Sequence, residues 1–295
     1  MNTALVPQMR MNKIEKFNKR MKIKVGRKNA SKWNFIMENR EIGGMGFISG
    51  RWPLDKEKPT LVFIPGAALT SIFWEPQINY LGKAANTVAV DLPGHGASQG
   101  PGKESIADYA QAVLDFIDRI EAPRPIPCGL SMGGAIALQL LIRNGDRFPA
   151  GILINTGARL RVMPLIFETI QKNYDDFVEI LCVSAISTQS DTDKLRAAIQ
   201  ACSKCRPDVV LGDFKACDRF DVMEKLGLIE VPVLVLTASD DTVTPVKYGI
   251  FLEKNIKNAT RVNIEDAGHL SPIEKPSEVN RSIHDFLGRI SLINR

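Results

Sequence analysis

The pentapeptide Gly129-Leu130-Ser131-Met132-Gly133 most constrains what this chain can fold into, because it stands between a strand-like and a helix-like segment. Apolar residues 125–128 precede it, and residues 134–142 follow it with the composition of a buried helix. A serine at such a turn adopts a strained backbone conformation, and flanking glycines let neighbouring backbone pass close to it. The turn exposes the hydroxyl near the first amides of the helix. Ser131 is therefore a candidate nucleophile, and the alternative is a serine that caps a helix.

A serine nucleophile needs a general base, and the chain has three histidines that could supply one. His269 lies in a polar loop directly after the strand-like residues 260–264. His95 lies in a turn-rich segment, where we expect it to structure the loop after the fourth strand. His284 falls within a predicted helix, residues 277–290, and we expect it to be a surface or packing residue. His269 is therefore the predicted base.

Two adjacent aspartates, Asp240 and Asp241, follow the strand-like residues 231–237, and either could orient the histidine. The chain order is then serine, aspartate, histidine, which differs from the order in two other serine-protease folds. Each of the three follows a predicted strand. We therefore expect their side chains at the carboxyl edge of one parallel sheet, where ligand sites in open α/β sheets lie.

Strand-like and helix-like segments alternate along most of the chain, which predicts an α/β fold with a doubly wound, mostly parallel sheet. The predicted strands are residues 33–37, 45–49, 59–64, 87–90, 125–129, 151–155, 231–237 and 260–264. The predicted helices of this alternating part are residues 71–81, 104–120, 246–256 and 277–290. Residues 156–229 break the alternation, because they contain helical stretches such as 165–181 and Thr192–Cys202 but no convincing strand.

Five landmarks in the right order resemble the α/β-hydrolase superfamily, in its branch of small serine esterases and lactonases. They are LVFIPGA at 61–67, DLPGHGAS at 91–98, CGLSMGG at 128–134, residues 234–245, and Gly268-His269. The resemblance runs from about Lys32 to the C-terminus. It implies a core of residues 32–155 and 230–295 and a helical lid, residues 156–229, inserted after the sixth strand. Residues 1–31 remain as a basic N-terminal extension.

The resemblance also selects among the candidate site residues. In relatives the acid commonly stands four residues before a proline, and Asp241-Thr-Val-Thr-Pro245 has that spacing. The amide of Met132, the residue after the nucleophile, is expected to donate to an oxyanion. By resemblance the amide of Ala67 is the second donor, although the loop around it could be merely a close-packed turn. Such donors stabilise the negative charge of a tetrahedral intermediate.

The predicted function is hydrolysis of a small-molecule carboxylic ester, lactone or thioester through an acyl-enzyme, with Ser131, His269 and Asp241 as the triad. This chemistry requires no metal and no organic cofactor. Relatives that act as dehalogenases or epoxide hydrolases use aspartate in place of Ser131, which argues against both activities. Two alternatives stay open: a C–C bond hydrolase or cofactor-free perhydrolase with the same triad, and a non-enzymatic ligand receptor that retains the fold. The oligomeric state is left open as well.

The distribution of charge along the chain limits which partners we expect. Residues 1–40 hold eleven basic and two acidic residues, whereas the other residues hold 27 basic and 31 acidic ones. We expect a solvated arm there, with peripheral contact to an anionic membrane as the alternative and no nucleic-acid partner.

No apolar run reaches the ~18 residues of a membrane span, and no secretory leader is recognisable. Five irregularly spaced cysteines, including Cys202-Ser-Lys-Cys205 without a second pair for a metal site, indicate reduced thiols. These features predict a cytoplasmic protein.

Overall fold

An eight-stranded sheet runs through the structure, a computed structural model that describes residues 39–293 except the side chains of 192–194, 202 and 291–293. Its strands are β1 (Arg40–Ile42), β2 (Met45–Ser49), β3 (Thr60–Ile64), β4 (Asn86–Val90), β5 (Pro125–Leu130), β6 (Gly151–Ile154), β7 (Val233–Ala238) and β8 (Ala259–Ile264). Their spatial order is β1-β2-β4-β3-β5-β6-β7-β8. Strands β3 to β8 pair in parallel, whereas β1 and β2 pair antiparallel with each other and β2 with β4. The predicted mostly parallel sheet is confirmed.

Helices flank this sheet and connect its parallel strands. Within residues 39–293 they are α1 (Glu75–Leu81), α2 (Ile106–Arg119), α3 (Met132–Arg143), α4 (Pro164–Lys172), α5 (Tyr174–Ser184), α6 (Thr192–Cys202), α7 (Pro207–Arg219), α8 (Lys247–Asn255), α9 (Ser271–Glu274) and α10 (Pro276–Ile293). Short 3-10 turns lie at Ser71–Trp74, Gly145–Arg147 and Met223–Leu228.

Strand β3 shows why both faces of the sheet are covered. Its side chains alternate between the two faces, as in any strand, and all of its residues are buried. Val62 and Ile64 pack into a core with α2, α3 and α8. Leu61 and Phe63 pack into a second core with α1 and α10. A continuous apolar strand of this kind requires helices on both faces, which is the doubly wound arrangement.

The prediction at the start of the sheet is wrong in one respect. Residues 40–42, which the sequence suggested were part of a polar connection, form strand β1 and pair with β2. Gly43 and Gly44 have φ of 60° and 85°, so they make the tight turn of a hairpin. Polar residues are ordinary on such an edge strand. The predicted strand 33–37 and the basic arm of residues 1–31 lie outside the described residues.

The segment between β6 and β7, residues 156–229, is here called the helical insertion. It contains α4 to α7 and, as predicted, no strand. The helical stretch predicted at 165–181 is two helices, because Asn173 has an extended backbone (φ −154°, ψ 99°) that ends α4. An isolated β-bridge joins Arg159 to Asp221. The two ends of the insertion therefore meet beside the sheet.

The close contact between α3 and β3 generates a test of the fold. A Cβ added to Gly133 would lie 2.1 Å from the carbonyl oxygen of Ile64, whereas one added to Gly145 would meet no atom within 4 Å. We expect Gly133→Ala to lower the free energy of unfolding by about 1–3 kcal/mol through overpacking. Gly145→Ala should leave it nearly unchanged. Urea unfolding midpoints measure both, and equal midpoints would contradict the described contact.

Candidate active site

Ser131 lies at the junction of β5 and α3 in a strained backbone conformation, with φ of 54° and ψ of −116°. Such a conformation costs about 1–3 kcal/mol and persists only where the surroundings hold it. Here the amide of Ser131 donates to the carbonyl of Ile154 over 3.0 Å. Its carbonyl accepts from the hydroxyl of Thr156 over 2.7 Å. The residue directly follows the end of β5 and is partly exposed, so it lies accessibly at the carboxyl edge of the sheet.

The loop after β3 passes directly beside this serine. A Cβ built on Gly66 would lie 3.5 Å from Cβ of Ser131. The amide of Leu69 donates to the carbonyl of Gly66, and the amide of Ala68 donates to the buried carboxylate of Asp213. This loop carries Ala67, the expected oxyanion donor.

The second expected donor, Met132, belongs to α3. It is the first residue of that helix, and the first amides of any helix have no acceptor within it. Both expected oxyanion donors are therefore on segments that adjoin Ser131, one in the next residue and one in the loop after β3.

Asp241 and His269 contact each other in the loops after β7 and β8. His269 Nδ1 lies 2.9 Å from Asp241 Oδ2, and both residues are 5% exposed. The other oxygen, Oδ1, accepts from the amides of Val243 and Thr244, each over 2.8 Å. Burial raises the pKa of Asp241, but the charge and hydrogen bond of His269 and the bonds from Thr244 outweigh it and lower the pKa below its usual value.

Asp240, the other candidate acid, faces elsewhere. Its carboxylate accepts from the hydroxyls of Ser187 and Ser239. The structure therefore brings His269 together with Asp241, and Asp240 instead contacts the helical insertion through Ser187.

The loop that carries His269 is held by a carboxylate that the sequence analysis did not single out. Glu274 accepts from the amides of Gly268 and Leu270, which lie on either side of His269, over 3.0 and 3.1 Å. It also accepts from the amide of Ser187 over 2.8 Å. One side chain thus fixes the histidine loop and ties it to the helical insertion.

A dipeptide at the end of β6 joins the serine turn to the histidine loop. The side-chain amide of Asn155 donates to the carbonyls of Gly268 and His269, over 3.3 and 2.9 Å. The next residue, Thr156, holds the carbonyl of Ser131. Sequence analysis missed both, although two consecutive polar residues at the carboxyl end of a predicted strand were a usable signal.

The other two histidines lie apart from this constellation. His95 is fully buried, with Nε2 2.8 Å from Asp213 Oδ2 and Nδ1 3.1 Å from the carbonyl of Pro93. The second contact fixes the turn after β4, as expected. His284 lies on α10 with its side chain 57% exposed, beside Asp285.

Among residues 39–293, no group of three or more histidine, cysteine or acidic side chains could hold a metal ion. No helix in that range is long and apolar enough to cross a membrane. Burial raises the pKa of the Cys205 thiol to about 12, which disfavours the reactive thiolate. The side chain of Cys202, the other cysteine of the C-x-x-C pair, lies outside the described residues. The other three cysteines are buried and unpaired: Cys128, Cys182 and Cys217.

The carboxylate under the histidine loop can be tested separately from activity. Glu274→Gln keeps the size of the side chain but turns one acceptor oxygen into a donor that faces other donors. We expect the free energy of unfolding to fall by about 1–3 kcal/mol. Glu278→Gln, an exposed position in the first turn of α10, is the matched control. Urea denaturation measures both, and equal losses would show that Glu274 does not hold the loop.

The chain matches a family model described as the alpha/beta hydrolase family over residues 61–282. It is similar to the 3-oxoadipate enol-lactonase 2 of Acinetobacter baylyi, at 26% identity over 243 residues covering 80% of this chain and 91% of the relative. A second relative, the pimeloyl-acyl-carrier-protein methyl ester esterase of Nitrosomonas europaea, is 22% identical over 236 residues, covering 75% and 92%. The solved enol-lactonase from Burkholderia xenovorans LB400 has the same fold, with a TM-score of 0.77 at 24% identity over 85% of this chain and 100% of the other.

Proposed function

The chain belongs to the alpha/beta hydrolase family, and we propose that it cleaves carboxylic esters or lactones through an acyl-enzyme formed on Ser131. Its similarity to an enol-lactonase and to a methyl ester esterase supports an esterase-type enzyme. The observation that carries the catalytic assignment is the 2.9 Å contact between His269 Nδ1 and Asp241 Oδ2, at the same sheet edge as Ser131.

In the first step, Oγ of Ser131 attacks the substrate carbonyl carbon while Nε2 of His269 accepts the hydroxyl proton. The carboxylate of Asp241 accepts a hydrogen bond from the Nδ1–H of His269, which leaves Nε2 unprotonated and able to act as the base. Because the pKa of Asp241 is lowered, its carboxylate stays ionised at neutral pH and stabilises the imidazolium that forms. The buried position of the pair strengthens this interaction by excluding water.

The tetrahedral intermediate carries negative charge on the former carbonyl oxygen, which the amides of Ala67 and Met132 stabilise. Loss of one such donor typically costs about 3–4 kcal/mol of transition-state stabilisation. The intermediate collapses as the bond to the alcohol oxygen breaks and His269 returns its proton to that oxygen. Water then attacks the acyl carbon as His269 accepts one of its protons, the bond to Ser131 Oγ breaks as His269 returns that proton to Oγ, and the acid is released. In a lactone the departing alcohol stays attached to the acyl group, so the product is a hydroxy acid.

The helical insertion, residues 156–229, is proposed as a lid over this edge, with residues 32–155 and 230–295 as the core. Two sets of contacts support the proposal. The amide of Leu270, next to His269, donates to the carbonyl of Ala185 in the insertion. The carboxylate of Asp213, also in the insertion, accepts from the amide of Ala68 beside the proposed oxyanion donor.

The proposal is tested by turnover of p-nitrophenyl esters of increasing acyl length. We expect Ser131→Ala and His269→Ala to lower kcat/KM by roughly 10⁴- to 10⁶-fold, because the triad acts as a unit. Asp241→Asn should lower it by about 10⁴-fold through loss of the required tautomer. His284→Ala and Asp240→Asn are the matched controls, and we expect both to retain most activity.

Two results would contradict the proposal. Retention of most activity in Ser131→Ala would exclude that serine as the nucleophile. Failure of the folded native protein on every ester and lactone would favour a C–C hydrolase, a perhydrolase or a ligand receptor on the same fold.

A further inference from the structure

The helical insertion directs one carboxylate into the core beside the proposed oxyanion loop. Asp213 of α7 is fully buried, and the mechanism above does not use it. Its Oδ2 accepts from the amide of Ala68 over 3.0 Å and contacts His95 Nε2 at 2.8 Å. Its Oδ1 accepts from the hydroxyl of Tyr109 over 2.6 Å. Three elements of the core, the loop after β3, the turn after β4 and helix α2, therefore converge on one side chain of the insertion.

The contacts of His95 favour the charged form of its ring. A neutral imidazole has one donor and one acceptor nitrogen, whereas the imidazolium has two donors. In this structure both nitrogens of His95 face acceptors, the carbonyl of Pro93 and the carboxylate of Asp213. Burial lowers the pKa of His95, but the charge and hydrogen bond of Asp213, the carbonyl of Pro93 and the charge of Asp91 outweigh it and raise the pKa. Both the geometry and the raised pKa favour an imidazolium at His95 that donates to the Asp213 carboxylate.

The residue that Asp213 holds is conformationally strained. Ala68 has φ of 63°, a left-handed conformation that residues with a Cβ adopt rarely and only under constraint. The hydrogen bond from its amide to Asp213 supplies such a constraint. The Ala68 amide belongs to the peptide plane between Ala67 and Ala68. A hydrogen bond that fixes this plane therefore restricts the backbone conformation of Ala67 and the direction of its own N–H.

We propose that Asp213 is a positioning residue for the oxyanion hole: its carboxylate, which also contacts His95 Nε2, holds the Ala68 amide and so directs the N–H of Ala67 toward the oxyanion. The inference rests on the proposed function, since it assigns a support to the same site. Asp213 belongs to the insertion, whereas Ala67 and Ala68 belong to the core. The oxyanion hole is therefore complete only while α7 is packed on the core.

The direct test is Asp213→Asn, which keeps the shape but removes the charge and one acceptor. For a p-nitrophenyl ester we expect kcat to fall by about ten- to a hundredfold, with KM nearly unchanged, because an oxyanion donor acts in the transition state. Inhibition by phenylboronic acid, which forms a tetrahedral adduct with a serine nucleophile, should weaken by a similar factor. Asp208→Asn is the control on the same helix, because its side chain is 70% exposed and pairs only with Arg206 among the described residues.

Tyr109→Phe keeps the test decisive if Asp213→Asn does not fold. It removes the hydroxyl donor to Oδ1 and leaves the ion pair, so we expect a smaller fall in kcat of the same kind. Thermal unfolding separates a positioning role from a merely structural one. A lowered melting temperature with native kcat per folded molecule, in each of the two variants that folds, would overturn the inference.

The pH dependence provides a readout that general destabilisation would not reproduce. The raised pKa of His95 means that the ion pair is fully present below about pH 6.5 and is lost as the pH rises through the folded value. Burial raises the pKa of four neighbouring groups, so these stay neutral in that range: Tyr109, Tyr174, Cys205 and Cys217. Besides Asp213, the charged group that acts on the His95 ring is Asp91. We expect an alkaline fall in native kcat that is absent in His95→Gln, and its persistence there would count against the inference.

The two proposals fail in distinguishable ways. If Ser131→Ala is inactive while Asp213→Asn matches Asp208→Asn in kcat and in boronate inhibition, only the positioning role is overturned. If Ser131→Ala remains active, the proposed function fails and the role of Asp213 fails with it.

Discussion

The turn at Ser131 is the constraint on which the rest of the site depends. Its left-handed backbone is tolerated because β6 accepts the Ser131 amide through Ile154 and because Gly133 fits against the carbonyl of Ile64. A side chain at position 133 would collide with this carbonyl, so α3 and the end of β3 would have to shift relative to each other beside the serine. Ser131 therefore lies at the end of a fully buried strand, and the other groups are brought to it by loops.

Carboxylates that accept backbone amides hold those loops. Asp241 accepts hydrogen bonds from two amides of its own turn and contacts His269. Glu274 accepts hydrogen bonds from the amides on both sides of His269. Asp213 accepts one from the amide of Ala68. Hydrogen bonds from an amide to an ionised acceptor are stronger than hydrogen bonds between neutral groups. Because Asp213 lies in the insertion and Glu274 contacts it, the same bonds that fix the loops also attach the insertion to the core.

The parts of this arrangement that depend on local sequence could be predicted. The strand–turn–helix context predicted the tight turn at Ser131, which the structure has, and the family's spacing to Pro245 favoured Asp241, which is the aspartate that contacts His269. The supports could not be found in this way, because Asp213 and Ala68 are 145 positions apart and Glu274 and Ser187 are 87 apart. Strand β1 escaped prediction because a short polar edge strand has no hydrophobic period. Its two-glycine turn was the only local signal.

Covalent trapping tests the central claim most directly. The native protein would be mixed with p-nitrophenyl acetate, quenched in acid during turnover, digested, and examined by peptide mass spectrometry beside Ser131→Ala. The account predicts one acetyl group on the peptide that contains Ser131 and none on that peptide in the variant. Turnover without an adduct on this peptide, or an adduct on another residue that persists in the variant, would contradict an acyl-enzyme on Ser131.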